Sequence, residues 1–221
     1  MRFGFWPNPR SDYEATKTLA QHAEATGWDG IWLADHFLPD EDELIPVHES
    51  WITLAALARD VPRVRLGTLV AGNTYRHPAL LANMVATLDN LSDGRVVLGL
   101  GAGWQQNEHD AYGIEYGTVS SRLDMLEEAC QVLRGLFQND YFNFDGQHYQ
   151  LKNAPLEPKP QQAKIPLMIG GGGEAARKEH RHHHQLGGPP KWPVCVMPVV
   201  ATSANAAPGD AKRLFHRHPC R

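Results

Sequence analysis

The 221-residue sequence has few cysteines: Cys130, Cys195 and Cys220 are the only three, and they are widely separated. Such a number and spacing exclude a disulfide framework and a cysteine-based zinc site. Cys130 lies within an amphipathic helical pattern, where a small buried hydrophobic residue is more common than a nucleophile. Cysteine chemistry therefore gives no indication of function, and we expect no metal site.

Long apolar runs and an excess of positive charge are also absent. No segment has the length of apolar residues that a membrane span needs, and no basic segment precedes the first strand-like run, at residues 3–6. The formal net charge of -4 argues against a nucleic-acid-binding surface. We therefore expect a cytoplasmic globular protein with neither a nucleic acid nor a membrane as partner.

The composition changes abruptly near residue 174. Residues 1–174 contain 13 Lys and Arg against 23 Asp and Glu, whereas residues 175–221 contain 8 against 2, with six of the twelve histidines and six of the sixteen prolines. A single folded domain rarely changes character in this way. We predict one folded domain over residues 1–174 and an atypical tail over residues 175–221, which is either frameshifted or disordered.

Strand and helix patterns alternate through the predicted domain. Apolar runs predict five buried parallel strands, at residues 3–6, 30–37, 64–70, 95–100 and 166–169. Helical patterns cover residues 49–60, 78–91 and about 120–137, and an earlier helix ends near Gly27. For that first helix, Ser11 as N-cap and Glu14 predict a capping box. Alternation around Asp145 and Gly146 predicts a β-hairpin over residues 141–151.

The spacing of the strands favours a (β/α) barrel. The first four strand centres recur about every 31 residues, which matches a barrel of roughly 250 residues divided into eight units. A doubly wound open sheet has a similar spacing and is the alternative. Because only about 50 residues follow the fifth strand, a barrel of this length is incomplete. The predicted fold class is thus α/β, an incomplete TIM-type barrel of about five parallel strands with an irregular His- and Pro-rich tail.

Candidate site residues follow the predicted strands at their carboxyl ends, which is where such a barrel opens its active-site face. They are Asp35 and His36 after the second strand, Gly72, Asn73 and Thr74 after the third, Gly101, Gly103, Trp104 and Glu108 after the fourth, and Gly170, Gly171, Gly172 and Gly173 after the fifth.

Each candidate also has a structural interpretation. His36 suits acid–base work near neutral pH, or it packs against Trp32, and Asp35 contributes to the site or caps the next helix. Glu108 could act as an acid at the site or be a solvated carboxylate in a helix's first turn.

The glycine segments and the basic residues leave similar alternatives. The glycines after the fourth strand precede a helix expected to begin at Trp104, and residues 170–173 suit a phosphate cradle or a flexible strand exit. Arg76 and His77 are further candidates for the site. For Arg76, the alternative is an ion pair on the surface.

Four segments, read together, resemble the luciferase-like monooxygenase superfamily, and particularly its coenzyme F-420-dependent branch. They are residues 30–37 (GIWLADHF), 64–70 with 75–78 (VRLGTLV, YRHP), 92–104 (SDGRVVLGLGAGW) and 165–173 (IPLMIGGGG), and the segment from Glu108 through residues 112–114 fits the same branch. The resemblance extends in order over residues 1–174 and stops there. The tail of the chain, residues 175–221, departs from the family. In family members, the glycine segment is followed by a helix, a strand that ends in Asn-Trp, and further units.

The resemblance implies a TIM barrel, a deazaflavin (F-420) or, alternatively, FMN as cofactor, a small organic substrate and a possible homodimer. It places His36 and Glu108 as catalytic residues and the remaining candidates around the cofactor, with a bulge and often a non-prolyl cis peptide after the third strand. The expected reaction is hydride transfer or, with FMN, oxygen activation. The competing hypothesis is a truncated, inactive remnant of such an enzyme.

The tail carries its own three hypotheses. Plausible codons for residues 183–187, shifted by one base, encode Ile-Thr-Asn-Trp-Gly, which favours a frameshift after Glu174. The alternatives are a natural disordered extension and a metal-binding histidine cluster at residues 180–184.

Overall fold

The computed structural model describes residues 3–39 and 45–170. The strands are β1 (Gly4–Phe5), β2 (Gly30–Leu33), β3 (Arg65–Thr68), β4 (Ala71–Gly72), β5 (Val96–Gly101), β6 (Tyr141–Asp145), β7 (Gln150–Pro155) and β8 (Leu167–Ile169). The helices are α1 (Tyr13–Ala25), α2 (Ser50–Asp60), α3 (Pro78–Leu91), α4 (Gln106–Tyr112) and α5 (Val119–Gln138).

The main sheet is parallel, and its strands follow one another in chain order. β1 pairs with β2, β2 with β3, β3 with β5 and β5 with β8, each pair in parallel register. A doubly wound sheet reverses its strand order part-way, whereas a (β/α) barrel does not. The order therefore confirms the barrel-type fold, represented here by five of its parallel units, and excludes the open-sheet alternative.

The third predicted strand, residues 64–70, is interrupted. β3 ends at Thr68, the Leu69–Val70 peptide bond is cis, and β4 then pairs with the end of β5 through Ala71 and Gly72. The bulge and the non-prolyl cis bond that the resemblance implied at this point are both present. The interruption lets one chain segment follow β3 and then rejoin the sheet further along β5.

Two predicted helix starts are wrong. Asp12, not Ser11, caps α1, because its carboxylate accepts a hydrogen bond from the Ala15 amide at 2.7 Å. The helix expected from Trp104 begins instead at Gln106. Trp104 thus belongs to the loop that leaves β5 rather than to a helix end.

The core lies between the sheet and the helices. Leu66, Leu98 and Leu100 are fully buried on the helix-facing side of their strands, and they belong to one continuous apolar cluster with α2, α3 and α5. At the amino-terminal face, the Arg95 guanidinium donates to the carbonyl oxygens of Val61 and Val64, both at 2.8 Å, and so ties α2 and β3 to β5. This packing holds the strand ends in fixed positions.

The predicted hairpin is present as β6 and β7, joined by a turn over residues 146–149. Glu128 of α5 binds this turn by accepting hydrogen bonds from the backbone amides of Gln147, His148 and Tyr149 at 2.7–3.0 Å. Within the ranges given above, no helix combines the length and apolar character of a membrane span. Residues 171–173 and the tail over 175–221 lie outside the described residues.

Candidate functional site

The described candidates gather at the carboxyl ends of the parallel strands. Asp35 and His36 follow β2, the loop over residues 72–74 follows the β3–β4 interruption, and Gly170 follows β8. Gly101 ends β5, and Gly103 and Trp104 continue from it toward α4, which carries Glu108. The fold therefore brings residues far apart in sequence to one edge.

Glu108 is the centre of a hydrogen-bond network at this edge. Its side chain has no exposed surface, and Oε1 accepts hydrogen bonds from the Phe37 and Leu38 amides at 2.7 and 2.8 Å. Oε2 accepts from the Tyr75 hydroxyl and lies 3.3 Å from His36 Nδ1. Four donors fill the acceptor positions of one carboxylate.

The environment of Glu108 favours its ionised form. Burial works to raise the pKa of Glu108, but the bonds from His36, the Leu38 amide, Tyr75 and the Phe37 amide together hold that pKa below its ordinary value. Glu108 is therefore a buried carboxylate held by four donors, and the alternative of a solvated carboxylate in the first turn of a helix is wrong. Its role as a catalytic acid stays a prediction.

His36 lies between this carboxylate and the open side of the edge. Its side chain is 22% exposed, and its ring meets the Trp104 ring edge-on at 5.4 Å between centroids. Because the Glu108 carboxylate can only accept, Nδ1 of His36 carries the proton of their hydrogen bond. Nε2, at the other edge of the ring, is thereby the nitrogen that can exchange a proton with a bound molecule.

Asp35 has a different environment from that of its neighbour. Its buried carboxylate forms a bidentate ion pair with Arg76, with N–O distances of 2.6 and 3.0 Å, and accepts from the Ser50 hydroxyl at 2.8 Å and the Gly72 amide at 3.1 Å. Arg76 also binds Glu49 at 2.7 Å. Asp35 thus connects the loop after β2 to α2, to β4 and to the loop after β4. The ion pair of Arg76 is mostly buried and does not lie on the surface.

Residues 72–74, at the end of β4 and in the turn after it, are held by hydrogen bonds with other parts of the site. The Asn73 amide donates to the Gly101 carbonyl at 2.9 Å, and its side-chain Nδ2 donates to the Tyr149 hydroxyl at 3.2 Å. Thr74 Oγ1 lies 2.7 Å from Nε2 of His109. His77, also considered from the sequence, instead caps α3, because its Nδ1 accepts from the Ala79 amide.

The glycines make room for neighbouring side chains. A Cβ atom on Gly101 or Gly170 would lie 2.8 or 2.7 Å from a methyl carbon of Val70, the residue after the cis peptide bond. Gly103 has a φ of +83°, and a Cβ there would approach Thr74 Oγ1 to 2.8 Å. Val70 therefore stands over the ends of β5 and β8, between these glycines and the open side.

Two important residues are missing from the sequence prediction. Tyr75 binds Glu108, and His109 is fully buried, with Nδ1 2.8 Å from the Gln105 carbonyl oxygen. Tyr75 is part of a segment that the prediction used, and His109 directly follows Glu108. A search for polar side chains flanking each candidate would have included both, but only the fold shows that their rings meet, at 4.9 Å between centroids.

Known proteins resemble this chain in sequence. The sequence profile of the luciferase-like monooxygenase family matches residues 1–183. The chain belongs to this family. It is 37% identical, over 153 residues, to an F420-dependent glucose-6-phosphate dehydrogenase of Amycolatopsis mediterranei, covering 68% of this chain and 45% of that relative. A protein of the same name from Microbacterium testaceum is 34% identical over 77% of this chain and 51% of its own length.

Solved structures match the fold as well. An F420-dependent secondary alcohol dehydrogenase in complex with an F420–acetone adduct superposes with a TM-score of 0.74 at 29% identity, covering 80% of this chain and 54% of that one. The resemblance to the F-420-dependent branch is thereby confirmed. The luciferase-like chain spans about half the length of the curated relatives it matches.

The luciferase-like site has features that fit a planar ring cofactor. Asn73 is 2% exposed, and among the residues described its Oδ1 is a buried acceptor without a hydrogen-bond partner, which calls for a donor from a ligand or water. Trp104 is 61% exposed beside His36 and offers an apolar surface to a ring. A hydrogen-bonding ring would thus find an acceptor, an aromatic surface and a proton-carrying group at one edge.

Proposed function

We propose that this chain carries the proton-transfer residues of an F420-dependent oxidoreductase that dehydrogenates a small hydroxyl-bearing organic substrate. The observation that carries the proposal is the pair formed by partly exposed His36 and buried Glu108 at the carboxyl ends of the strands. A charged acceptor behind a histidine orients the ring and stabilises its protonated form, which makes the opposite nitrogen a better base.

The choice of cofactor and substrate class rests on relatives. Three relatives, at 33–37% identity, are named F420-dependent glucose-6-phosphate dehydrogenases, and a structural neighbour at 29% identity is an F420-dependent secondary alcohol dehydrogenase. A type II Baeyer–Villiger monooxygenase in complex with FMN, at 20% identity, shares the fold alone. We therefore prefer the deazaflavin, with FMN and oxygen insertion as the alternative.

In the proposed mechanism, the residues of this chain bind, orient and move a proton. His36 Nε2 takes the proton of the substrate hydroxyl, and Glu108 stabilises the resulting imidazolium through Nδ1. The cofactor, when bound, supplies the two-electron chemistry by exchanging hydride with the substrate carbon. The residues that would hold it are Gly72, Asn73, Thr74, Gly101, Gly103, Trp104 and Gly170 to Gly173. Asp35 would support the ring indirectly, since its carboxylate fixes Gly72.

The first experiment measures cofactor binding. The full 221-residue chain is titrated into F420 and, separately, into FMN, and the fluorescence of each is followed. Saturable binding of F420 that is tighter than that of FMN is expected. Tighter FMN binding would favour the monooxygenase alternative, and binding of neither would favour the inactive remnant.

The second experiment tests the role of His36. His36→Asn should lower kcat with an alcohol substrate by about 10²-fold or more, because positioned proton transfer contributes that much, while F420 affinity changes far less. The control is His22→Asn, in an exposed histidine of α1. Unchanged kcat in the His36 variant would refute the role in proton transfer.

A further inference from the structure

We infer that Tyr75 is a positioning residue for the site, which holds the Glu108 carboxylate and sets the proton affinity of His36. The inference rests on the proposed function for its catalytic meaning, because His36 is the group that it would serve. Its physical content, a hydrogen bond that tunes a histidine, can be measured on the chain without cofactor. The sequence prediction assigns no role to this tyrosine.

The ring of Tyr75 is held by contacts from two other elements. The Phe37 ring, in the loop after β2, meets it edge-on at 4.9 Å between centroids, and the His109 ring of α4 lies tilted 32° to it, also at 4.9 Å. His109 is itself fixed at both nitrogens, by the Gln105 carbonyl and by Thr74 Oγ1. Such constraints leave the Tyr75 hydroxyl little freedom, which is what a positioning role requires.

Tyr75 and His36 share one oxygen. The Tyr75 hydroxyl donates to Oε2 of Glu108, and the same atom accepts from His36 Nδ1. A donor withdraws negative charge from its acceptor, so removing the tyrosine hydroxyl concentrates that charge on the bond to His36. The protonated form of His36 is then stabilised, and its pKa should rise.

Burial raises the pKa of Tyr75, and its bond to Glu108 raises it further, so the hydroxyl keeps its proton through the range in which histidine titrates. The other ionisable groups around it are Asp35 and Glu49, which both pair with Arg76, and His109 of α4. None of these groups binds Oε2 of Glu108, the oxygen that Tyr75 and His36 share.

The experiment is an NMR pH titration of the histidine rings in the full chain without cofactor, with the His36 signal assigned by its loss in His36→Gln. Tyr75→Phe keeps the ring between Phe37 and His109 and removes only the hydroxyl. We expect the His36 midpoint to move upward by about one pH unit, the scale of one hydrogen bond to a charged group. The matched control is Tyr112→Phe, because Tyr112 also packs on the Phe37 ring, at 5.9 Å.

A second variant shows whether the effect passes through Glu108. In a Glu108→Gln background, Tyr75→Phe should leave the His36 midpoint unchanged. A Tyr75→Phe chain that titrates as wild type does, a shift of equal size in Tyr112→Phe, or a shift that persists without the Glu108 carboxylate would each overturn the inference. If the midpoint shifts as expected but the chain does not bind F420, the positioning role stands and the proposed function fails.

Discussion

At the scale of single residues, neighbouring side chains at the end of β2 serve different purposes. His36 is partly exposed and bound to one carboxylate, whereas Asp35 is buried in an ion pair with Arg76. The partners explain the difference, since His36 binds Glu108 of α4 whereas Asp35 binds Arg76 and Ser50. One side gives access to ligands, and the other anchors the surrounding loops.

The ion pair allows a stability prediction. Asp35→Asn should lower the free energy of unfolding by about 3 kcal/mol, because it removes one partner of a buried pair and weakens the hold on Arg76. Denaturant unfolding followed by circular dichroism measures the change. Glu14→Gln is the control, since it removes the exposed Glu14–Lys17 pair and should leave the midpoint nearly unchanged. Equal effects of the two substitutions would contradict the prediction.

At the scale of elements, the hairpin depends on α5 for its position. Glu128 accepts hydrogen bonds from three backbone amides of the turn, and without it these amides would need water or other partners. Burial works to raise the pKa of Glu128, but the amides of His148, Gln147 and Tyr149 hold it below its ordinary value. A helix residue therefore fixes the hairpin, whose Tyr149 in turn binds Asn73 of the site.

The pKa of Glu128 makes this anchoring dependent on pH. Because the folded-state pKa is depressed, the stabilisation is fully present above the unfolded value near 4.5 and is lost as pH falls through the folded value. Glu128→Gln should cost about 1–2 kcal/mol at pH 7, after allowing for partial exposure, and the difference from wild type should shrink toward pH 3. The free energy of unfolding is measured across this pH range for wild type and for Glu128→Gln. Glu127→Gln, at an exposed neighbouring position, is the control. A difference independent of pH would argue against the anchor.

At the scale of the whole molecule, the parallel sheet has open edges. Within the described strands, β1 pairs only with β2 and β8 only with β5. Unpaired edges invite pairing with another chain, and a closed barrel removes them. The hypothesis of an inactive remnant and the possible homodimer both remain predictions, and solution mass bears on both.

We predict that the chain associates through its sheet edges as concentration rises. Met168→Lys, in edge strand β8, should reduce this association, because a lysine on an edge strand opposes edge-to-edge pairing. Light scattering behind size exclusion at several concentrations measures the mass. Leu80→Lys adds the same charge on the exposed surface of α3 and should have less effect. A monomer at all concentrations would rule out edge pairing.

The sequence by itself determined the order of strands and helices and the hairpin, because hydrophobic periodicity and turn residues are local properties. It also placed the candidates at the strand ends. Helix starts were less well predicted: a carboxylate one residue after Ser11 caps α1 in its place.

Only the tertiary structure decided what each side chain does. Glu108 is a buried, fixed acceptor rather than a solvated carboxylate because Tyr75 and the amides after β2 converge on it from distant positions in the chain. Val70 lies over Gly101 and Gly170 because the ends of β3, β5 and β8 meet there. Such contacts depend on how the elements pack, and no local pattern of residues encodes them.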